Sequence, residues 1–323
     1  MLTRIPVPWT NLYGVARTLI ALGTAGTLLF SSTGTLFRPV ATLGDHPLCD
    51  GVKAAGAFCL VPSDDLQWVQ WLCVAVLLVV ASGWRPRWTA LPHAYVNFSV
   101  YTGIAISDGG DQIAMNLVLL LLLPALGDRR RWHWSPNEEV PTSRSRKVWA
   151  VLGVSSLMMA QLQMSVLYFQ AAVAKLSHAE WADGSAMYYW ANDPSFGAPN
   201  WMRPLLDPLV TTPTWVAVMT WVPLLVELSL AASLLLPPRV RQILLVVGVA
   251  FHFSIAVTMG LWSFAAAMWG GLALLCLPLG TSLRHRTAHT PADPGPGAPD
   301  RTEATSSATS SSDNPALRAS ATN

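Results

Sequence analysis

Long apolar stretches separated by short polar ones run along most of the chain, and stretches such as LVLLLLLPAL at 117–126 have no period-two alternation of the kind a barrel strand needs. A backbone in hydrocarbon must satisfy its own polar groups, so each stretch predicts a helix. About 20 apolar residues cross roughly 30 Å of hydrocarbon. On that measure the pattern predicts about eight spans, at 11–31, 67–83, 89–106, 112–127, 148–176, 214–236, 242–260 and 263–281. The fourth is short and the fifth long, which predicts that one of them is tilted or partly re-entrant.

Composition agrees with the pattern. The 323 residues are 52% hydrophobic and 12% charged, against about 25% charged in an ordinary soluble domain. From about 282 the chain changes to Ser, Thr, Ala and Pro with few large apolar residues, too little to bury for folding. The expected fold is an all-α integral membrane protein: a bundle of about eight transmembrane helices over 1–281, then a disordered cytoplasmic tail over 282–323.

Charge then sets the expected orientation in the plasma membrane. Arg85 and Arg87, the group Arg129, Arg130, Arg131, Arg144, Arg146 and Lys147, and Arg239 with Arg241 all fall on one side of an eight-span arrangement. Basic loops stay cytoplasmic, so both termini are expected there. The opposite loops carry Asp45, Asp50, Asp64, Asp65, Asp108, Asp111, Glu180, Asp183, Asp193 and Asp207, an acidic outer face. The first span reads as a retained signal anchor, with Trp9 and Tyr13 as interfacial anchors beside it.

Of the four cysteines, Cys49 and Cys59 share the first outer loop, while Cys73 and Cys276 lie inside spans. An oxidising exterior makes a Cys49 to Cys59 disulfide the expectation, with two free thiols as the alternative. No further Cys or His clusters beside them at ligand spacing, so no metal site is expected. Phosphate-cradling loops, nucleic-acid motifs and a Ser-His-acid arrangement are likewise not seen, and nucleic acid is not an expected partner.

Polar residues inside the spans are the candidates for chemistry, because ionisable groups at that depth face the bundle interior and pair. They are Arg17, Asn97, Asn116, Gln161, Gln163, Gln170, Glu227 and His252, with Lys175 at the outer end of the fifth span. The structural reading pairs Arg17 with Glu227 and lets the amides bond across helices. Lys175 has two readings: its stem lies in lipid while the ammonium reaches the interface, or it sits desolvated in a bundle pocket and serves as a base. The DGGD turn at 108–111 is either a site where Asp108 and Asp111 hold a cation or basic substrate, or a solvated hairpin.

The segment YFQAAVAKLSHAEWADGSAMYYW, 168–190, resembles the horizontally transferred transmembrane domain, the membrane part related to vitamin K-dependent gamma-carboxylase. PWTNLYGVARTLIALGTAGTLLF at 8–30, with the outer cysteine loop and ASGWRPRW at 81–88, is similar to the bacterial SdpB-type branch of that group. The resemblance covers roughly residues 5–280. It implies an eight-helix membrane domain working outside the cytoplasm, with Lys175 at a pocket mouth in the position of the family's lysine base.

On position, His252 and Glu227 join Lys175 as candidate catalytic residues, Arg17 is a candidate pocket member, and Trp181 and Asp183 shape the outer lip. Asp108 and Asp111 complete the candidate substrate-binding set. The SdpB-type branch implies a role in producing a secreted peptide toxin of the sporulation-delaying type, with that peptide as substrate and an accessory maturation protein as a further partner beside the lipid bilayer. A reduced quinone enters as a cofactor only through the carboxylase resemblance. The chain has a short tail where the vitamin K enzyme carries a large extra-membrane region, which favours toxin maturation over carboxylation. Two rivals stand beside this reading: a non-catalytic immunity or toxin-binding protein that captures a cationic peptide on the acidic face, and a transporter with Arg17, Glu227 and His252 along its path. No inverted repeat supports the transporter.

Overall fold

A computed structural model describes residues 6–41, 44, 46–105, 107–135, 141–194 and 197–281. The expected disordered tail at 282–323 lies outside the described residues. Eight long helices form the bundle: α1 (Asn11–Phe30), α2 (Leu66–Ser82), α3 (Pro86–Gly103), α4 (Gly109–Gly127), α5 (Arg144–Leu176), α6 (Pro213–Ala231), α7 (Pro238–Met259) and α8 (Trp262–Cys276). No β-strand occurs among the described residues, which carry only isolated bridges such as Trp84 with Trp132.

Six of these helices are long and apolar enough to cross a membrane: α1, α2 with the turn before it (Ser63–Ser82), α4, α5, α6 with the turn after it (Pro213–Leu235) and α7. The other two fall short for different reasons. Polar residues at Arg87, Thr89, His93 and Asn97 interrupt α3, and α8 has 15 residues.

Local chemistry fixes the helix ends. Pro86, Pro213 and Pro238 open α3, α6 and α7, where a proline's missing N–H costs nothing. Gly83 (φ 86°) and Gly260 (φ 74°) follow α2 and α7 in the left-handed conformation that ends helices. Helix α5 runs unbroken for 33 residues, or roughly 50 Å at 1.5 Å per residue, longer than the hydrocarbon is thick.

Packing closes the bundle on itself, because α1 lies directly against α8. A Cβ on Gly23 would fall 2.9 Å from the Ser263 carbonyl oxygen, and one on Gly270 would fall 2.9 Å from that of Ala16. Only glycine lets the two backbones approach so closely, the device by which membrane helices gain contact without a hydrophobic driving force. Ile20, Leu117, Leu121, Met164 and Leu272 fill the main core beside this contact.

The opposite face of α1 packs with α2 and α3 in a second core that also receives Phe58 from the cysteine loop. Cys49 and Cys59 are bonded, with Cα atoms 5.6 Å apart. The Phe58 ring centre lies 4.8 Å from that of Phe37, the rings tilted at 55°, and Tyr95 donates to the Ala55 carbonyl at 3.0 Å, so the bonded loop is docked on α3.

One expectation changes. Trp9 and Tyr13 do not anchor at an interface: they are 0% and 1% exposed. Trp9 donates to the Pro124 carbonyl at 2.9 Å, and the Arg146 guanidinium lies 3.9 Å from its ring centre. The protein's own polar groups satisfy this indole where a headgroup would otherwise do so.

Candidate functional site

Three helices bring their polar residues to one cavity, and spacing explains how. Tyr168 and Lys175 are two turns apart on α5, so they project from nearly the same face. On α7 the buried residues are Gly248, His252 and Ala256, one every four positions. The two small residues let this helix close on the bundle, with the imidazole carried inward between them. Glu227 is one of the few buried residues of α6.

The cavity has a volume of about 1010 Å³. Its polar wall holds two contacts. Lys175 Nζ lies 2.6 Å from Glu227 Oε1 and donates to the Ala171 carbonyl at 3.3 Å. Tyr168 Oη lies 2.8 Å from His252 Nε2. Two buried atoms in this wall have no protein partner, Oε2 of Glu227 and Nδ1 of His252.

The rest of the lining is apolar, with Met187, Met219, Met259 and Met268 prominent in it. Over the cavity lies the connection from α5 to α6, which contains three short helices, Ala179–Ala182, Ala186–Ala191 and Arg203–Val210. Trp181, Met187, Trp190 and Leu206 point from it into the cavity. The Lys175 ammonium lies 5.6 Å from the Trp181 ring centre, within the range where a ring face attracts a cation.

Lys175, Glu227, His252, Trp181 and Asp108 therefore meet at one cavity, whereas Arg17, Asp111 and Asp183 do other work. The pairing of Arg17 with Glu227 is incorrect, because Glu227 pairs with Lys175 and Arg17 bonds Thr89 Oγ1 at 2.9 Å on the other side of the bundle. Helix rotation decided this: Arg17 faces α3 and not α6. Asp108 and Asp111 form a reciprocal capping box at the start of α4, each carboxylate accepting from the other's backbone N–H at 2.9 and 3.2 Å. Asp183 is exposed and accepts from the Ser185 hydroxyl at 2.6 Å and its N–H at 2.9 Å. Those bonds hold its carboxyl below the usual range.

Around Arg17 lies a second polar cluster at the other end of the bundle. Its members are all buried: Arg17, Tyr13, His93, Asp128 and His133. Asp128 pairs with Arg130 at 2.7 Å. Thr18 gives its proton to the Ala81 carbonyl at 2.8 Å, so His133 Nε2 donates to the Thr18 hydroxyl at 3.1 Å. Burial first, then the nearby Arg17 and Arg130 charges, push the His133 imidazole down to about 3. Because Arg17 stands apart from Glu227 and His252, the three do not line one path, and the transporter arrangement loses its geometry.

Sequence reasoning missed Tyr168. The available signal was its seven-residue spacing from Lys175, the same spacing that links Gln163 to Gln170. Gln170 is exposed on the outside of α5.

Residues 140–278, which include all three of Lys175, Glu227 and His252, match the HTTM domain. Over 279 residues the chain is 36% identical to the "Uncharacterized protein YitO" of Bacillus subtilis (strain 168), covering 86% of this chain and 88% of that protein. It is 35% identical over 274 residues to the "Sporulation-delaying protein SdpB" of the same organism, covering 84% of this chain and 83% of SdpB. The chain belongs to the SdpB-type family of HTTM-domain proteins. The SdpB-type match spans most of this chain, and no solved structure matches it.

Proposed function

We propose that the protein is a membrane-embedded maturation factor for a secreted peptide toxin of the sporulation-delaying type, crossing the bilayer eight times and acting at its extracytoplasmic face. The observation that carries this reading is the apolar cavity with the Lys175 and Glu227 pair in its wall, at the end of α5 that the basic loops assign to the outside. The likeness to SdpB supplies the pathway. Lys175 serves as a cation that orients the peptide, held in place by Glu227 and the Ala171 carbonyl; passing its proton to Glu227 Oε1, 2.6 Å away, would leave a neutral amine able to act as a base. The Tyr168 and His252 pair offers a second donor and acceptor in the same wall.

The toxin-capturing rival gains little here, since Asp108 and Asp111 are occupied in capping α4. A second reading has a specific observation in its favour. A large apolar cavity with the Lys175 and Glu227 pair and the Tyr168 and His252 pair in its wall also fits a reduced quinone, whose oxygens those pairs would hold. Such a group supplies electrons and protons when bound; the residues named would position it and exclude water.

Mass spectrometry of secreted peptides tests the maturation role. Cells carrying the protein, lacking it, or carrying Lys175→Ala at equal abundance are compared. A peptide that changes mass or vanishes in both altered strains supports maturation dependent on Lys175. Identical peptides from all three strains remove the maturation role.

A further inference from the structure

The connection over the cavity ends in a helix, Arg203–Val210, and with the turn before it this helix divides into three strips. Met202, Leu206 and Val210 recur every four positions and face inward: Met202 and Val210 are buried, and Leu206 lines the cavity. The helix packs on α6 and on Ala186–Ala191. Arg203 and Asp207, also four apart, form an exposed polar strip. Trp201 and Leu205 form the third, and each is 71% exposed. Residues two positions apart on a helix stand roughly 160° apart around its axis, so Leu205 and Asp207 lie on nearly opposite sides.

Exposed apolar residues are ordinary on their own. What covers these follows from where the helix is tethered. Its last residue, Val210, is three positions before Pro213, the first residue of the apolar span Pro213–Leu235. Three residues of chain reach at most roughly 11 Å, and one headgroup layer is roughly 5–8 Å thick. The exposed Trp215 in the first turn of α6 marks that level of the span, since tryptophan concentrates at the membrane boundary. Buried Met202 and Val210 hold both ends of the helix to the bundle, so it lies at the depth of the headgroups. At that depth a helix with one apolar and one charged side turns its apolar side toward the acyl chains.

We propose that Arg203–Val210 is an interfacial helix bound to the lipid surface, with Trp201 and Leu205 inserted at the edge of the acyl chains and Arg203 and Asp207 left among headgroups and water. Leu206, one position from Leu205, faces the cavity. A single helix therefore stands between the cavity and lipid, and the cover of the cavity is seated on the bilayer as well as on α6.

The test uses the full chain in nanodiscs of phosphatidylethanolamine and phosphatidylglycerol, with Leu205→Cys or Asp207→Cys carrying an environment-sensitive nitrobenzoxadiazole label. Cys49 and Cys59 are bonded and Cys73 and Cys276 are buried, so the introduced thiol reacts selectively. Both substituted side chains are exposed, so neither change disturbs packing. Two quenchers are compared: iodide in water, and a phospholipid spin-labelled near the top of its acyl chain. At 205 the lipid quencher is expected to act several-fold more strongly than at 207, and iodide several-fold more weakly. Equal or reversed responses at the two positions would overturn the proposal, placing the strip in water or the whole helix in hydrocarbon. A label at 205 shielded from both quenchers would also overturn it, as the mark of a protein surface over the strip. The secreted-peptide comparison decides the maturation role separately.

Discussion

Lys175 Nζ and Glu227 Oε1 are 2.6 Å apart and join the end of α5 to α6 across 52 residues of sequence. The two side chains are not equally enclosed: that of Lys175 is 27% exposed and that of Glu227 is 7% exposed. A lysine with access to the surface can turn outward when its partner is lost, but a carboxylate in the wall cannot.

The pair should therefore respond asymmetrically to substitution. Removing one member of a buried pair costs roughly 3–5 kcal/mol, and Lys175→Met, which strands Glu227, falls at the low end of that range. Glu227→Leu costs less. The double variant recovers most of the loss, a coupling measurable as thermal midpoints of the purified protein in detergent. Equal costs for the two single variants would refute the asymmetry.

A pH dependence follows from His133. Its proton affinity is lowered on folding, to about 3, against about 6.5 for an unperturbed imidazole. Between those values the unfolded chain binds the extra proton, so stability rises with pH across that window and falls on acidification by up to about 1.4 kcal/mol per unit. His133→Gln should flatten that part of the profile, read as the difference in denaturation midpoint between pH 7 and pH 5.

The cysteine bond closes a short loop, separated by 10 positions in sequence. The chain-entropy relation gives about 3 kcal/mol for such a closure. Cys49→Ser with Cys59→Ser should loosen the segment between α1 and α2 and raise its protease sensitivity. In denatured wild-type protein, alkylation should reach Cys73 and Cys276 without reductant and all four thiols with it.

Asp108→Ala removes the capping acceptor of α4 and should lower stability by about 1 kcal/mol, whereas Asp183→Asn, on an exposed turn, should leave the melting temperature close to wild type. If both changes abolish the effect on secreted peptides while leaving stability intact, charge capture on the outer face becomes the better account.

The helices were legible because apolar length is a local property. The expected spans 11–31 and 148–176 differ by only a few residues from Asn11–Phe30 and Arg144–Leu176. Crossing length was less legible, since α3 and α8 are helices whose polarity or shortness a window of apolar residues does not weigh. Least legible was partnership. Arg17 and Glu227 are the obvious opposite charges in the sequence, yet pairing depends on which way each helix is rotated, and that is set by small-residue contacts such as Gly248 on Leu272. The short helices over the cavity, Ala179–Ala182, Ala186–Ala191 and Arg203–Val210, carry too few residues for a periodic signal, so Met187, Trp190 and Leu206 gave no warning of their place there.

The close seat of α1 on α8 bears on how the protein is made. Among the described helices α1 is made first, yet it finds its tightest neighbour only when α8 has been synthesised. Until then the notches at Gly23 and Ala16 face lipid, and Gly270 has nothing to fit. Latching the ring of helices thus waits on α8, and a chain stalled before Trp262 remains an unsealed bundle.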